Sequence, residues 1–262
     1  MRHRQILPIA ALAAVMFAAG PGATQTPPPA LAPQQETVAP PKPYKAVTVT
    51  LPAPNTDPSL DAFRKQLGDA AKRKDRAALA ALVVPKGFFW QREDGDSADA
   101  KKSGIDNLTD VMALDAKDSP GWDVLGEYAS DQTASPLPDQ QNLICSPADP
   151  TFSEADLEAV VTATQTDPGD WGYLLSDGVE VRDSPTPDAK TIENLGMHFV
   201  RVMPDSSPLS AVSSSLRIVT PSGKVGYIPA NSISPLGTDQ LCYAKDAGGW
   251  KIAGYVGDGS QQ

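Results

Sequence analysis

The chain has 262 residues, of which 40% are hydrophobic and 21% are charged, enough to form one or two modest hydrophobic cores. Its 2 cysteines exclude a small disulfide-dense protein. The formal net charge is −10 and the basic residues form no stripe, so we expect neither nucleic acids nor anionic membrane surfaces as partners.

The first 23 residues have the layout of a signal peptide. Arg2 and Arg4 precede an apolar stretch that ends in small residues. We expect export to the periplasm or secretion, with an uncleaved N-terminal membrane anchor as the alternative. Residues 24–56, which are proline-rich over their first half, are predicted to be an extended linker.

Residues 57–170 are predicted to form a mainly helical region. Asp57 and Pro58 have the pattern of a helix start, because an N-cap acceptor is followed by a proline at the first helical position. Asp75 is expected to cap a second, short helix in the same way. Further apolar stripes at helical spacing lie within residues 60–67, 105–112, 122–128 and 157–161.

The pattern changes to alternating apolar and polar residues over the C-terminal part, 171–262. Its short, β-favouring segments are separated by Pro, Gly, Ser or Asp, which predicts a small barrel or a strongly bent sheet. The fold class is therefore expected to be α+β, a helical region followed by an all-β domain. The expected strands are VEVR (179–182), HFVRV (198–202), LRIV (216–219), KVGYI (224–228), QLCYA (240–244) and WKIAGYV (250–256).

This C-terminal part resembles the bacterial SH3-like (SH3b) family. In that family a V-R-x-x-P start leads through a glycine turn to G-[YW]-[IV] and a short helical turn before the last strand. The family's tryptophan before the third strand is absent, and Ser213 to Ser215 stand in its place. The matching positions are Val181, Arg182, Pro185, Leu195, Gly196, Gly223, Gly226, Tyr227, Ile228 and Ile233.

The resemblance extends to the order of the segments. An export signal, a Pro-rich spacer, a helical region and a C-terminal SH3-like domain together are similar to exported SH3-domain proteins of Gram-negative bacteria. The resemblance implies a small barrel that binds a peptide or a cell-wall polymer such as peptidoglycan. We expect four aromatic residues, Tyr227, Trp250, Tyr255 and Trp171, to line the groove if they share an open face. The alternative is that they fill the barrel interior.

The two cysteines, Cys145 and Cys242, are expected to form a disulfide bond because the signal directs the chain to an oxidising compartment. Such a bond would connect the helical region to a strand of the β domain. Two separate buried thiols are the alternative.

No motif predicts an enzyme. His198 is the single histidine after the signal segment, and no nucleophile or phosphate-binding signature accompanies it. We therefore expect neither a metal site nor a cofactor, and a non-catalytic binding protein. The alternatives are a scaffold without a ligand groove and a secreted hydrolase that uses paired carboxylates, for which Asp123 and Glu127 are examples.

Overall fold

The computed structural model describes residues 38–138, 140–186, 188–204 and 214–259. The predicted signal segment and the start of the linker lie outside these residues. The α+β class is confirmed, since the described residues form five α-helices and thirteen β-strands. No helix among them is long and apolar enough to cross a membrane.

The helices lie where apolar residues recur at helical spacing, and side-chain caps begin four of them. Asp57, Asp75, Ser103 and Ser153 each accept a hydrogen bond from a backbone N–H of the first helical turn. The two helix starts predicted at Asp57 and Asp75 are confirmed. The helices are α1 (Pro58–Arg73), α2 (Arg76–Leu82), α3 (Gly104–Met112), α4 (Gly121–Ser130) and α5 (Glu154–Thr164).

The strands belong to two sheets. All six predicted segments form strands, and seven further strands are short or lie outside the expected β domain. The strands are β1 (Phe89–Arg92), β2 (Gly95–Asp96), β3 (Ser135–Leu137), β4 (Gln140–Ser146), β5 (Trp171–Leu174), β6 (Val179–Arg182), β7 (Thr191–Leu195), β8 (Phe199–Val202), β9 (Ser215–Val219), β10 (Val225–Pro229), β11 (Ile233–Pro235), β12 (Gln240–Asp246) and β13 (Gly249–Val256).

The first sheet combines strands from both ends of the folded chain, in the order β2-β1-β13-β12-β4-β3. β13 pairs in parallel with β1, and β12 pairs antiparallel with β4. Residues of α1 to α4 pack against β12 and β13 to form the first hydrophobic core, which includes Leu60, Leu67, Leu125 and Tyr243. This arrangement differs from our expectation that β12 and β13 complete the C-terminal β domain, because alternation along a strand does not specify its neighbours.

The second sheet has the order β11-β5-β8-β9-β10-β6-β7. β5 is covered on both sides: Trp171 and Tyr173 pack in one core with α5, whereas Leu174 packs in another core with β6 and β10. A short 3₁₀ helix, Ala230–Ser232, comes immediately before β11.

Residues 38–56, which we call the strap, were expected to be part of a linker and are instead packed on the folded chain. Val47 and Val49 are buried in the core that α5 and β5 share. The Tyr44 hydroxyl lies 2.9 Å from the carbonyl oxygen of Val219. Isolated bridges join the strap to the rest of the chain at Thr48–His198, Thr50–Thr151 and Pro54–Thr133. The strap can pack because its apolar residues alternate after the last of the closely spaced prolines.

Candidate functional site

An open cleft of about 580 Å³ lies on the second sheet around Tyr227. It lies where β10 pairs with β6 and where the 3₁₀ helix begins directly after β10. We call it the Tyr227 cleft. Among the residues that the structure describes, its lining is uncharged except for one arginine. The lining residues are Arg182, Ser184, Pro185, Thr186, Ser214, Ser215, Tyr227, Ile228, Pro229, Ala230 and Asn231.

The alternating pattern of β10 and β6 decides which side chains reach this cleft. Gly226 and Ile228 are buried, whereas Tyr227 between them is half-exposed. Val181 is buried in the same way, and the neighbouring Arg182 is half-exposed. Tyr227 lies directly opposite Arg182 in the antiparallel pair, so both side chains project to the outer face of the sheet.

Gly226 allows β10 and β6 to approach closely. A Cβ atom at this position would lie 2.4 Å from Cγ1 of Val181 and 2.8 Å from the carbonyl oxygen of Arg182. No larger residue fits without displacing β6. The glycine before Tyr227 therefore allows the two strands to pair at the point where Tyr227 lies opposite Arg182.

Tyr227 is the one member of the predicted aromatic groove that lines this cleft. Trp171 is 2% exposed and packs beneath the strap, with its ring edge-on to Tyr44 at 4.9 Å between centroids. Its indole Nε1–H donates to the Thr166 hydroxyl. Trp171 is thus a core residue, because β5 is covered on both faces.

Trp250 and Tyr255 belong to the first sheet, since β13 carries both of them. The Trp250 ring lies against the first core, and its Nε1–H donates to the Ser59 hydroxyl at 3.0 Å. Tyr255 is 2% exposed within that core. The four aromatic side chains that we expected in one groove therefore lie in different places, because β13, which carries two of them, belongs to the first sheet and β5 is covered on both faces.

A second cleft of about 360 Å³ lies beside Tyr128 at the end of α4. The Tyr255 hydroxyl donates to a carboxylate oxygen of Asp239 at 2.9 Å and lies 3.1 Å from the Tyr128 hydroxyl. Burial raises the pKa of Tyr128 to about 12 and raises that of Tyr255 still further. Both phenols remain protonated at neutral pH and serve as hydrogen-bond donors.

Three carboxylates, Glu127, Asp131 and Asp239, are in the lining of this second cleft. Asp239 also accepts from the backbone N–H groups of Asp258 and Gly259. Asp131 accepts from the backbone and the hydroxyl of Thr133. Asp239 and Asp131 therefore hold turns of the backbone in place. Asp123, which we named with Glu127 as an example of the many carboxylates from which a pair could come, is not in this lining.

The disulfide bond between Cys145 and Cys242 is confirmed. The two residues face each other on β4 and β12, with their Cα atoms 4.0 Å apart and both side chains buried. A buried disulfide is typical of proteins in oxidising, extracellular or periplasmic compartments.

His198 is half-buried immediately before β8, where its backbone bridges the strap at Thr48. Burial lowers the pKa of its imidazole below the usual value, and Glu193 acts weakly in the opposite direction. Within the described ranges, no cluster of three or more His, Cys, Asp or Glu side chains could hold a metal ion.

Arg217, which lies directly opposite Tyr227 on β9, was not among the site residues predicted from the sequence. The signal was present in the LRIV segment, where an arginine between two apolar residues indicates an outward-facing position. Its neighbour across the strands could be assigned only after the register of β9 and β10 was known.

Comparisons of the chain with protein-family models, with curated proteins and with solved structures found no match.

Proposed function

We propose that this is an exported, non-catalytic binding protein that holds an extended peptide in the Tyr227 cleft. The observation that carries the proposal is the cleft itself, in which a half-exposed tyrosine and two prolines, Pro185 and Pro229, stand among hydroxyl and amide side chains. Aromatic and proline surfaces of this kind bind extended peptide backbone, and the neighbouring polar groups select the side chains.

The resemblance to SH3b domains supports this choice of site. Val181, Leu195 and Ile228, which match the family's pattern, pack in one core. The short 3₁₀ helix lies between the G-Y-I strand and β11, where the family has its helical turn. Ser214 and Ser215 line the cleft near the family's missing tryptophan, so we propose a more polar groove than the family's aromatic one.

The chemistry of the lining favours binding over reaction. Among the described residues of the Tyr227 cleft there is no carboxylate, histidine or thiol, so the lining offers none of the side chains that most often act as a general base or nucleophile. The hydrolase alternative would use the second cleft, but Asp131 and Asp239 there are engaged in holding backbone turns. We therefore propose no catalysis.

The proposal can be tested by selecting binders from a synthetic array of linear peptides with the folded protein. We expect selected peptides to shift the NMR signals of Tyr227 and to lose binding to Tyr227→Ala. Leu175→Ala is the matched control, because Leu175 is an exposed apolar residue just after β5 and outside the cleft lining.

If the protein binds no peptide and is nevertheless retained on purified peptidoglycan in a way that depends on Tyr227, the ligand of the cleft is the cell-wall polymer and not a peptide. Peptide binding that is unchanged by Tyr227→Ala, or no binding to either probe, would contradict the proposal. If the protein binds neither the peptides nor peptidoglycan, a scaffold role would be favoured.

A further inference from the structure

We infer that the peptide bound in the Tyr227 cleft is acidic, and that Arg182 and Arg217 bind its carboxylates on either side of Tyr227. This inference rests on the function proposed above and specifies the class of ligand. It is carried by the register of three neighbouring strands and by the distribution of charge around the cleft.

The register aligns the two arginines with the tyrosine. Tyr227 on β10 lies opposite Arg182 on β6 and opposite Arg217 on β9. Directly opposite residues of antiparallel strands project to the same face, with Cβ atoms about 5 Å apart. The three side chains therefore form one row across the sheet, an aromatic ring between two guanidinium groups. The two arginine positions are about 10 Å apart, since neighbouring strands are about 4.8 Å apart.

The charge of this row is opposite to that of the whole chain. The chain has a formal net charge of −10, yet the described lining of the cleft contains an arginine and no Asp or Glu. A basic peptide would meet positive charge here, whereas an acidic peptide would gain hydrogen bonds from guanidinium groups that match carboxylates in shape.

Both arginine side chains are partly exposed. The Arg182 side chain is 39% exposed and forms an ion pair with Glu180 at 3.3 Å, and Glu180 is itself 52% exposed. An exposed pair of this kind is weak, so the Glu180 ion pair by itself does not keep a ligand carboxylate from the guanidinium. Arg217 is half-exposed and forms no ion pair with any residue in the described part of the chain.

The uncharged lining residues suit the same ligand. Hydroxyl groups of Ser184, Thr186, Ser214 and Ser215 and the amide of Asn231 lie in the cleft. The Ser184 and Thr186 hydroxyls lie 3.0 Å apart, so one of them donates to the other and one proton of the pair can be donated to a carboxylate or a peptide carbonyl oxygen. The Asn231 amide can donate in the same way. Tyr227 offers its ring to proline or to the backbone between two acidic residues.

The test compares three labelled decapeptides in which proline alternates with glutamate, glutamine or lysine. We expect the glutamate peptide to bind about a hundredfold more tightly than the glutamine peptide at low salt, about tenfold for each of the two charge-assisted hydrogen bonds. The lysine peptide is expected not to bind. Added salt should weaken the binding of the glutamate peptide most.

Three variants identify the groups responsible. Arg182→Gln and Arg217→Gln are each expected to weaken binding of the glutamate peptide about tenfold. Glu180→Gln should strengthen it severalfold because the competing carboxylate is removed. Arg92→Gln is the matched control: it makes the same change in net charge on the first sheet, where Arg92 pairs with Asp258.

Failure of this inference differs from failure of the proposed function. If the glutamate and glutamine peptides bind equally and Tyr227→Ala abolishes the binding of both, the inference of an acidic ligand is wrong. The proposal that the Tyr227 cleft binds a peptide is then still supported. If Arg92→Gln weakens binding as much as Arg217→Gln does, the attraction is nonspecific and the inference is overturned. If neither these peptides nor the array shifts the Tyr227 signals, both proposals fail.

Discussion

Cys145 and Cys242 face each other on neighbouring strands, and their disulfide bond closes a loop that spans 97 positions of the chain. β4, which carries Cys145, follows the first four helices, whereas β12, which carries Cys242, comes after the whole second sheet. The bond therefore fixes the point at which the chain returns to the first sheet.

Replacing both cysteines, as Cys145→Ala with Cys242→Ala, should lower the free energy of unfolding by about 2 to 5 kcal/mol. The physical reason is that the disulfide restricts the unfolded chain over a long loop. Urea unfolding followed by circular dichroism measures the change, and the wild-type chain unfolded under reducing conditions is the control. An unchanged midpoint would show that the bond does not contribute to stability.

Gly226→Ala should destabilise the fold by about 1 to 3 kcal/mol, the usual cost of an added carbon in a filled space. The new Cβ would lie within 3 Å of Val181 and of the Arg182 carbonyl oxygen. Gly126→Ala on α4 is the control, since its Cβ would meet no atom within 4 Å. Thermal unfolding of the two variants should separate them, and equal effects would contradict the close approach of β10 to β6.

Val49→Ala should lower the free energy of unfolding by about 1 to 3 kcal/mol, because a buried side chain is shortened and leaves a cavity. Val49 is 1% exposed, whereas Val38, the first residue of the strap, is 46% exposed. Val38→Ala is therefore expected to have no measurable effect. If both variants were as stable as the wild-type protein by urea unfolding, the strap would be a linker after all.

Stability should fall as the pH is lowered from 7 to 5, and His198 should account for part of the loss. Burial lowers the pKa of His198 in the folded chain below its usual value of 6.5. Its contribution is thus fully present above the unfolded pKa and is lost as the pH falls towards the folded pKa. The difference in unfolding free energy between wild type and His198→Gln, measured at each pH, isolates this term. A difference in unfolding free energy that stays constant with pH would show that His198 does not contribute to the pH dependence.

Much of the local structure could be predicted from the sequence. Asp57 and Asp75 begin helices where the pattern places them, because an N-cap depends on residues within one turn. The strand from Val179 to Arg182 also has the predicted bounds. Tyr227, Arg182 and Pro185 belong to the candidate site, and each was marked by the SH3b pattern.

The choice of partners for the last strands could not be predicted in this way. β13 alternates as a barrel strand would, yet it pairs with β1, more than 150 positions earlier in the chain. Because Trp250 and Tyr255 are on β13, they lie in the first sheet and not in the expected groove. Period-two alternation indicates which side chains share a face, but the neighbouring strand depends on long-range packing.

The sequence alone determined the acidic character, the helix starts, the strand segments and the pair of cysteines, because each depends on composition or on neighbours along the chain. The packing of the strap, the pairing of the chain's last two strands within the first sheet and the position of Arg217 opposite Tyr227 became known from the fold. These are contacts between distant residues, and their free energy depends on which surfaces are buried together.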